Sequence, residues 1–461
     1  MTAYSPITPA IRAELKARLS PGALITEPAL LEDYAGDASC LRHLPELVVC
    51  AHSVADVQTL LTLANTHRFP VTPRGGGSGL AGACLADRGG VVLSTRGLDA
   101  IRAIDTINFT MEVEAGAISL RVREAASARG LFYPPDPAGM ELSTIGGNAA
   151  TDAGGPACVK YGTTRDYILG LEAVLPDGSL ITTGVRTRKG VVGYDLTNLL
   201  VGCEGTLAVI TALTLKLLPK PAATTGVLCA FGSMADAMRA VARVMAEGHL
   251  PSAIEFLDYR CLALIGEMLP FAVPGERPSL LIVELDGPAA PIEAEMAEVV
   301  AVMTREGATR VLRARDEAER QQIWQVRRQV SLRIHDHAAL YLSEDVVVPL
   351  SAIATLVDAL AAHEARHGVE IFAFGHAGDG NIHLNITSQH PDHQEQMDRV
   401  AEELLRMVLD LGGTISGEHG IGLAKRPFLP LELSPGSIDL QRRIKALFDP
   451  NQILNPGKIF P

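Results

Sequence analysis

The sequence predicts an α+β chain in which a glycine-rich half gives way near residue 220 to strands backed by helices. Three observations predict it. Short apolar runs alternate with glycine turns from about residue 46 to 218. Pro219 and Pro221 then interrupt regular pairing. Beyond them, strands separated by amphipathic helices suggest a sheet covered by helices on one face. With 461 residues, 47% of them hydrophobic, the chain can fill a core in each of two or three domains.

Taken in order, Leu47–Cys50, Gly90–Leu93 and Thr110–Glu114 read as strands. Ser53 to His67 reads as a helix, because Ser53 is a cap residue and Val57, Leu60, Leu61 and Ala64 fall on one face. After the crossing, strands are expected around 227–231, 253–257 and 280–286, and helices around 234–247 and 291–306. A long helix from about 393 to 411 carries Val400, Leu404, Leu405, Val408 and Leu411, and stops at Gly412-Gly413.

The formal charge of −13 repels a polyanion, so no nucleic-acid partner is expected. Seven scattered cysteines without a CxxC pair argue against a disulfide framework and a zinc ribbon, and fit a cytoplasmic protein. No basic start followed by an apolar run opens the chain, and no stretch reaches 18 uncharged apolar residues, so neither signal peptide nor membrane span is expected.

Residues 73–82, PRGGGSGLAG, contain a formal GxGxxG from Gly77 to Gly82. The dinucleotide fold behind that motif needs a following helix of several turns, and only Ala83 to Arg88 precede the next glycine pair. What remains is a loop of bare N–H groups able to close around a pyrophosphate, or a turn with no ligand. A second stretch, Pro134 to Gly155, interleaves glycine pairs with small polar residues, as suits a wall against a planar ligand. A third runs from Gly202 to Ile210.

Residues 371–386 read as strand, Asp-Gly turn, strand. Alternation puts His383 and Asn385 on one face, with His376 across the turn, so two imidazoles can converge on a metal or each satisfy a core hydrogen bond. Glu418 and His419, flanked by Gly417 and Gly420, look like a site because glycines let the backbone approach a ligand. Arg327 offers a forked cation to an anionic substrate, or belongs to a solvated helix face.

The three glycine elements resemble, in order and spacing, the FAD-binding domain of the vanillyl-alcohol oxidase and p-cresol methylhydroxylase superfamily. The second half resembles the FAD-linked oxidase C-terminal domain. Within the superfamily the chain is similar to the D-lactate dehydrogenase, glycolate oxidase large-subunit and D-2-hydroxyglutarate dehydrogenase group. The resemblance implies a two-part FAD-binding domain over 1–220, an α/β substrate (cap) domain over 221–415, and a C-terminal segment, 416–461, completing the active site.

It also implies the site residues. FAD would lie on Arg74, Gly75, Gly76, Gly77, Ser78, Gly79 and Leu80, then on Pro135, Asp136, Ser143, Ile145, Gly146, Gly147, Asn148, Thr151, Ala153, Gly154 and Gly155, and finally on Glu204, Gly205, Ala208, Val209, Ile210 and Asn455. Ser78 stands where some relatives carry a tethering histidine, so non-covalent FAD is expected. His376, His383 and Glu418 would bind a divalent metal, with zinc expected and manganese or iron as alternatives. Asn385 and His419 would touch a small 2-hydroxy acid, with His419 as the base. Arg327 would hold the carboxylate, and Ser331 stands where the family has threonine. The chain departs from the D-2-hydroxyglutarate enzymes at Ser343, where a lysine two residues before the aspartate matching Asp345 grips the substrate; this argues against a dicarboxylate preference, with Arg328 or Arg333 as alternative second cations.

The expected reaction is metal-assisted oxidation of a D-2-hydroxy acid, with the electrons passing from FAD to an unidentified acceptor. Two other readings stand beside it: a metal-independent flavin oxidase of the same superfamily, and an FAD-carrying subunit of a glycolate-oxidase-type complex. A homodimer is compatible with all three.

Overall fold

The computed structural model describes residues 4–461, and the chain divides into two units. The first combines the chain up to Gly154, Thr163–Lys220 and Glu418–Pro461; the second combines Gly155–Gly162 with Pro221–Gly417. The tail therefore joins the first unit at Glu418, two residues beyond the boundary expected at 416. The short segment 155–162, expected in the first unit, belongs to the second. Among the described residues no helix is long and apolar enough to cross a membrane.

Two larger sheets build the first unit, beside a two-stranded ribbon in which Leu218 and Pro219 pair with Phe132 and Leu131, so that Pro219 does not end pairing as expected. Strands β1 (Leu24–Ile25), β2 (Leu47–Cys50), β3 (Val71–Arg74) and β4 (Val91–Ser94) lie in the order β1-β2-β4-β3. The last three strands of that order are parallel, and β2 and β4 read as near-continuous apolar runs because both faces are buried. Their crossover is helix α1 (Val54–His67), capped where Ser53 Oγ accepts the Asp56 amide at 3.2 Å. Its Val57, Leu60, Leu61 and Ala64 pack on Val49, Val91 and Leu93 in one core with Ile453 and Leu454 of the tail. Burying each leucine there is worth about 1.5–3 kcal/mol. The second sheet is antiparallel: β5 (Ile101–Asp105), β6 (Thr110–Glu114), β7 (Ile168–Val174), β8 (Leu180–Gly184) and β9 (Val209–Lys216), in the order β5-β6-β9-β7-β8.

The second unit is one antiparallel sheet of seven strands: β10 (Ala223–Phe231), β11 (Ala253–Leu257), β12 (Ser279–Gly287), β13 (Arg310–Arg313), β14 (Leu340–Val347), β15 (Glu370–His376) and β16 (Asn381–Ser388). Their order is β13-β10-β12-β11-β15-β16-β14. Its longer helices are α2 (Met234–Ala246), α3 (Ala289–Arg305), α4 (Glu317–His337), α5 (Ile353–His367) and α6 (Gln394–Asp410). Helix α4 buries Ile323, Val326, Val330 and Ile334 against Leu228, Leu280, Ile282, Phe372 and Phe374. That spacing of three and four residues makes an apolar stripe facing the sheet. It sets Arg327 on the flank of the same stripe, at the sheet surface.

Candidate functional site

In the first unit β3 delivers Arg74 to the glycine loop. The Arg74 guanidinium turns inward to Cys84 Sγ at 3.3 Å and lies 5.8 Å from the Tyr34 ring centre. A Cβ at Gly75 would meet Thr144 Oγ1, one at Gly76 would meet Leu142 O, and one at Gly77 would meet the Arg74 guanidinium. The glycines are thus required by the protein's own close packing of loop 74–80 against 142–147. Gly77 adds a left-handed backbone, φ +72°. Gly79 faces open space: a Cβ there would touch nothing within 4 Å.

Several of the remaining wall residues are fixed by contacts of their own. Ser143 and Asn148 turn their side chains inward, to Ser119 Oγ at 2.8 Å each. Ile145 is buried, and a Cβ on Gly146 would strike Ala115. The Glu204 amide donates to Ala150 O at 2.7 Å, and a Cβ on Gly205 would lie 3.2 Å from Pro73. Buried Glu204 accepts the amides of Ile421 and Gly422 at 2.8 and 2.7 Å, so its carboxylate holds the tail in place. Burial raises its pKa while those two amides oppose the rise. Gly155, expected in this wall, is grouped with the second unit.

Two buried polar atoms test whether this wall fits a ligand. Asn455 donates through Nδ2 to Ala83 O (3.0 Å) and Glu204 O (2.7 Å), yet its Oδ1 is buried with no partner among the described residues. The hydroxyl of Tyr133, just before Pro134-Pro135, is in the same position. Each such orphan costs roughly 1–3 kcal/mol, and a polar ligand removes the cost. The wall fits a cofactor that brings hydrogen-bonding groups.

The second unit places its chemistry at the hairpin of β15 and β16. His383 pairs with Phe374 on one side and Asp345 on the other, and the His376 and His383 ring centres stand 5.4 Å apart, edge to face. His376 Nδ1 is hydrogen-bonded to the fully buried Glu255 of β11. The other oxygen of Glu255 accepts Arg327 Nε at 2.6 Å, and the guanidinium lies 4.4 Å from the Phe374 ring centre. Burial alone would push the Glu255 carboxyl up, but the His376 and Arg327 charges beside it hold it down, at about 2.

On the far side of His383, buried Asp345 accepts Asn381 Nδ2 (2.6 Å) and the Gly417 amide (2.9 Å), and lies 3.8 Å from His383 Nδ1. A Cβ on Gly417 would run into Asn381 and Asp345. This explains the first of the two flanking glycines. Glu418 follows Gly417 directly, so the chain delivers its carboxylate one peptide bond beyond an amide anchored on Asp345. Glu418 and His419 are both half-buried. Asn385 is fully buried, and its Oδ1 accepts the Tyr341 hydroxyl at 2.6 Å. Ser331, by contrast, is exposed on α4, with no hydrogen bond to the hairpin among the described residues.

Glu255 was missed by sequence reasoning, and Asp345 was named only as the aspartate that follows Ser343, with no role at the site. The signal for Glu255 was present: one charge within Ala-Ile-Glu-Phe-Leu, a strand otherwise apolar, must be paired when buried.

A glycine wall with orphaned polar atoms and a separate imidazole–carboxylate hairpin define a cofactor-dependent enzyme. Residues 45–184 match the FAD binding domain family, and residues 220–459 match the family of FAD linked oxidases, C-terminal domain. The chain is 38% identical over 421 residues to glycolate oxidase subunit GlcD of Bacillus subtilis, covering 91% of this chain and 90% of the relative. It is 34% identical over 471 residues to a D-lactate dehydrogenase of Anaerostipes hadrus, covering 99% and 98%. Among solved structures, p-cresol methylhydroxylase with substrate bound shares the fold at TM-score 0.78 and 19% identity, over 97% of this chain and 95% of that one. The chain belongs to the FAD-linked oxidase family and is an FAD-dependent oxidoreductase of the D-lactate dehydrogenase and glycolate oxidase group.

Proposed function

We propose that the enzyme oxidises a D-2-hydroxy acid to the 2-oxo acid, with a divalent metal on His376, His383 and Glu418. The observation that carries this reading is the Glu255–His376 hydrogen bond. A carboxylate on Nδ1 fixes the imidazole tautomer and leaves the Nε2 lone pair for a ligand role. Two imidazoles and one carboxylate suit zinc, manganese or iron and leave coordination positions open. A bound divalent ion supplies Lewis acidity that lowers the substrate hydroxyl pKa. Bound FAD, held non-covalently beside Ser78, supplies a two-electron acceptor for the C2 hydride.

The protein's own groups do the rest. An imidazole nitrogen of His419 takes the hydroxyl proton; loss of that proton and of the C2 hydride leaves the 2-oxo acid. Buried Asn385, its Oδ1 taken by Tyr341 and one Nδ2 proton directed at His383 O (3.3 Å), keeps its second Nδ2 proton for the substrate. Arg327 Nε is committed to Glu255, so its Nη groups are what it can offer to the substrate carboxylate. With Ser343 in place of a lysine, short monocarboxylates such as D-lactate are handled at least as well as D-2-hydroxyglutarate. Anaerobic flavin bleaching by D-lactate, glycolate, D-malate and D-2-hydroxyglutarate, beside the L forms, tests this. Reduction by L forms only rejects it.

The likeness to a glycolate oxidase subunit favours a second reading, in which the chain works within a complex. Bleaching of the chain purified alone would exclude that requirement for the reductive half-reaction.

A further inference from the structure

Helices α5 and α6 carry a second histidine–carboxylate constellation, built from none of the hairpin residues. His363 Nδ1 and His367 Nε2 each stand 3.1 Å from the same oxygen, Glu403 Oε2. One ligand atom from each side chain lies within 4.8 Å of the other two. The local sequence, His363-Glu-Ala-Arg-His367, has the HExxH spacing of zinc peptidases.

The physical basis is helix geometry. Residues four apart share a face, so both imidazoles leave α5 toward α6. A tetrahedral zinc with bonds of about 2.05 Å needs ligand atoms about 3.3 Å apart, close to the two 3.1 Å separations found here. The two histidines are largely covered, at 14% and 15% exposure, whereas Glu403 is 38% exposed, which leaves a solvent-side position for water. Arg366 Nη1 also reaches Glu403 Oε2, at 3.2 Å, but its side chain is 62% exposed and free to swing into solvent.

The intervening Glu364 excludes the peptidase reading. One residue along a helix is a turn of about 100°, and that rotation takes Glu364 away from the pair. Its carboxylate accepts the Ile371 amide at 2.8 Å and Arg260 Nη2 at 2.6 Å, so it is committed to the fold and cannot act as a general base.

We propose that His363, His367 and Glu403 form a structural zinc site that clasps α5 to α6. The claim is independent of the hairpin metal, and the test separates the two. After chelation and dialysis, the FAD-loaded enzyme is titrated with zinc alone, in parallel with His383→Ala and with the double variant His363→Gln/His367→Gln. The double variant should bind one zinc fewer than wild type, and His383→Ala should retain the clasp ion. Zinc should raise the Tm of wild type and of His383→Ala, and this shift should vanish in the double variant. The flavin spectrum should be unchanged throughout. Should the double variant not fold, Glu403→Gln, altered at a part-exposed side chain, is read by the same loss of zinc and of thermal shift. Equal zinc stoichiometry in wild type and variant, with no zinc-dependent Tm difference, would mean a surface ion pair only and would overturn the proposal.

Discussion

Glu255 keeps its charge in a fully buried position because His376 and Arg327 are both held against it. Removing that charge while keeping the shape, as in Glu255→Gln, leaves the Arg327 cation unbalanced and loosens the tautomer of His376. Partners of this kind typically contribute 10–100-fold to metal affinity. We expect Glu255→Gln to weaken metal binding by about that factor and to slow flavin reduction, with recovery at high metal concentration. An unchanged metal titration would show that His376 is not a ligand. Arg327→Ala breaks the same pair from the other side and should slow reduction by every 2-hydroxy acid, costing several kcal/mol where a partner charge is left buried. Normal reduction by Arg327→Ala would remove it from substrate binding. That His376 and His383 converge at a hairpin was legible in the sequence from residue type and spacing, whereas the role of Arg327 stays a proposal. Glu255 could not be paired with His376 from the sequence, because 121 residues separate them and only the sheet order brings β11 beside β15.

Elements differed in how plainly they could be read. Helix α1 announced itself through Ser53 and an apolar face, and the hairpin through its Asp-Gly turn, since both signals are local. The seven-stranded order could not be read, because antiparallel neighbours such as β14 and β16 are set by partners far apart in sequence. That pairing is what puts Asp345 opposite His383. In the tail, the helix Pro435–Phe448 brings Lys445 into the core of the first unit. Its ammonium donates to Thr206 O at 2.7 Å and Leu454 O at 2.8 Å and pairs with Asp449. Asp449 in turn accepts the amides of Ile453 and Leu454, next to Asn455 of the wall. Lys445→Met leaves Asp449 buried and uncompensated, which typically costs about 3–5 kcal/mol. Thermal unfolding should show the Tm falling by several degrees, together with weaker FAD retention. An unaltered melting curve would contradict this account of the tail.

At the scale of the whole molecule, the glycine wall and the hairpin belong to different units, and each carries its own diagnostic polar groups. FAD and metal can therefore be separated by experiment: stripping the metal should leave a yellow protein. The central claim is that a D-2-hydroxy acid is oxidised only when the metal is present. Its most direct test is the anaerobic rate of flavin bleaching by D-lactate and by any better D substrate, measured on chelator-stripped enzyme before and after adding a single divalent ion. We predict no bleaching without metal, restored bleaching with zinc, manganese or iron, and no restoration in His383→Ala. Full-rate bleaching of the stripped enzyme, with FAD bound and no metal detectable, would contradict the claim.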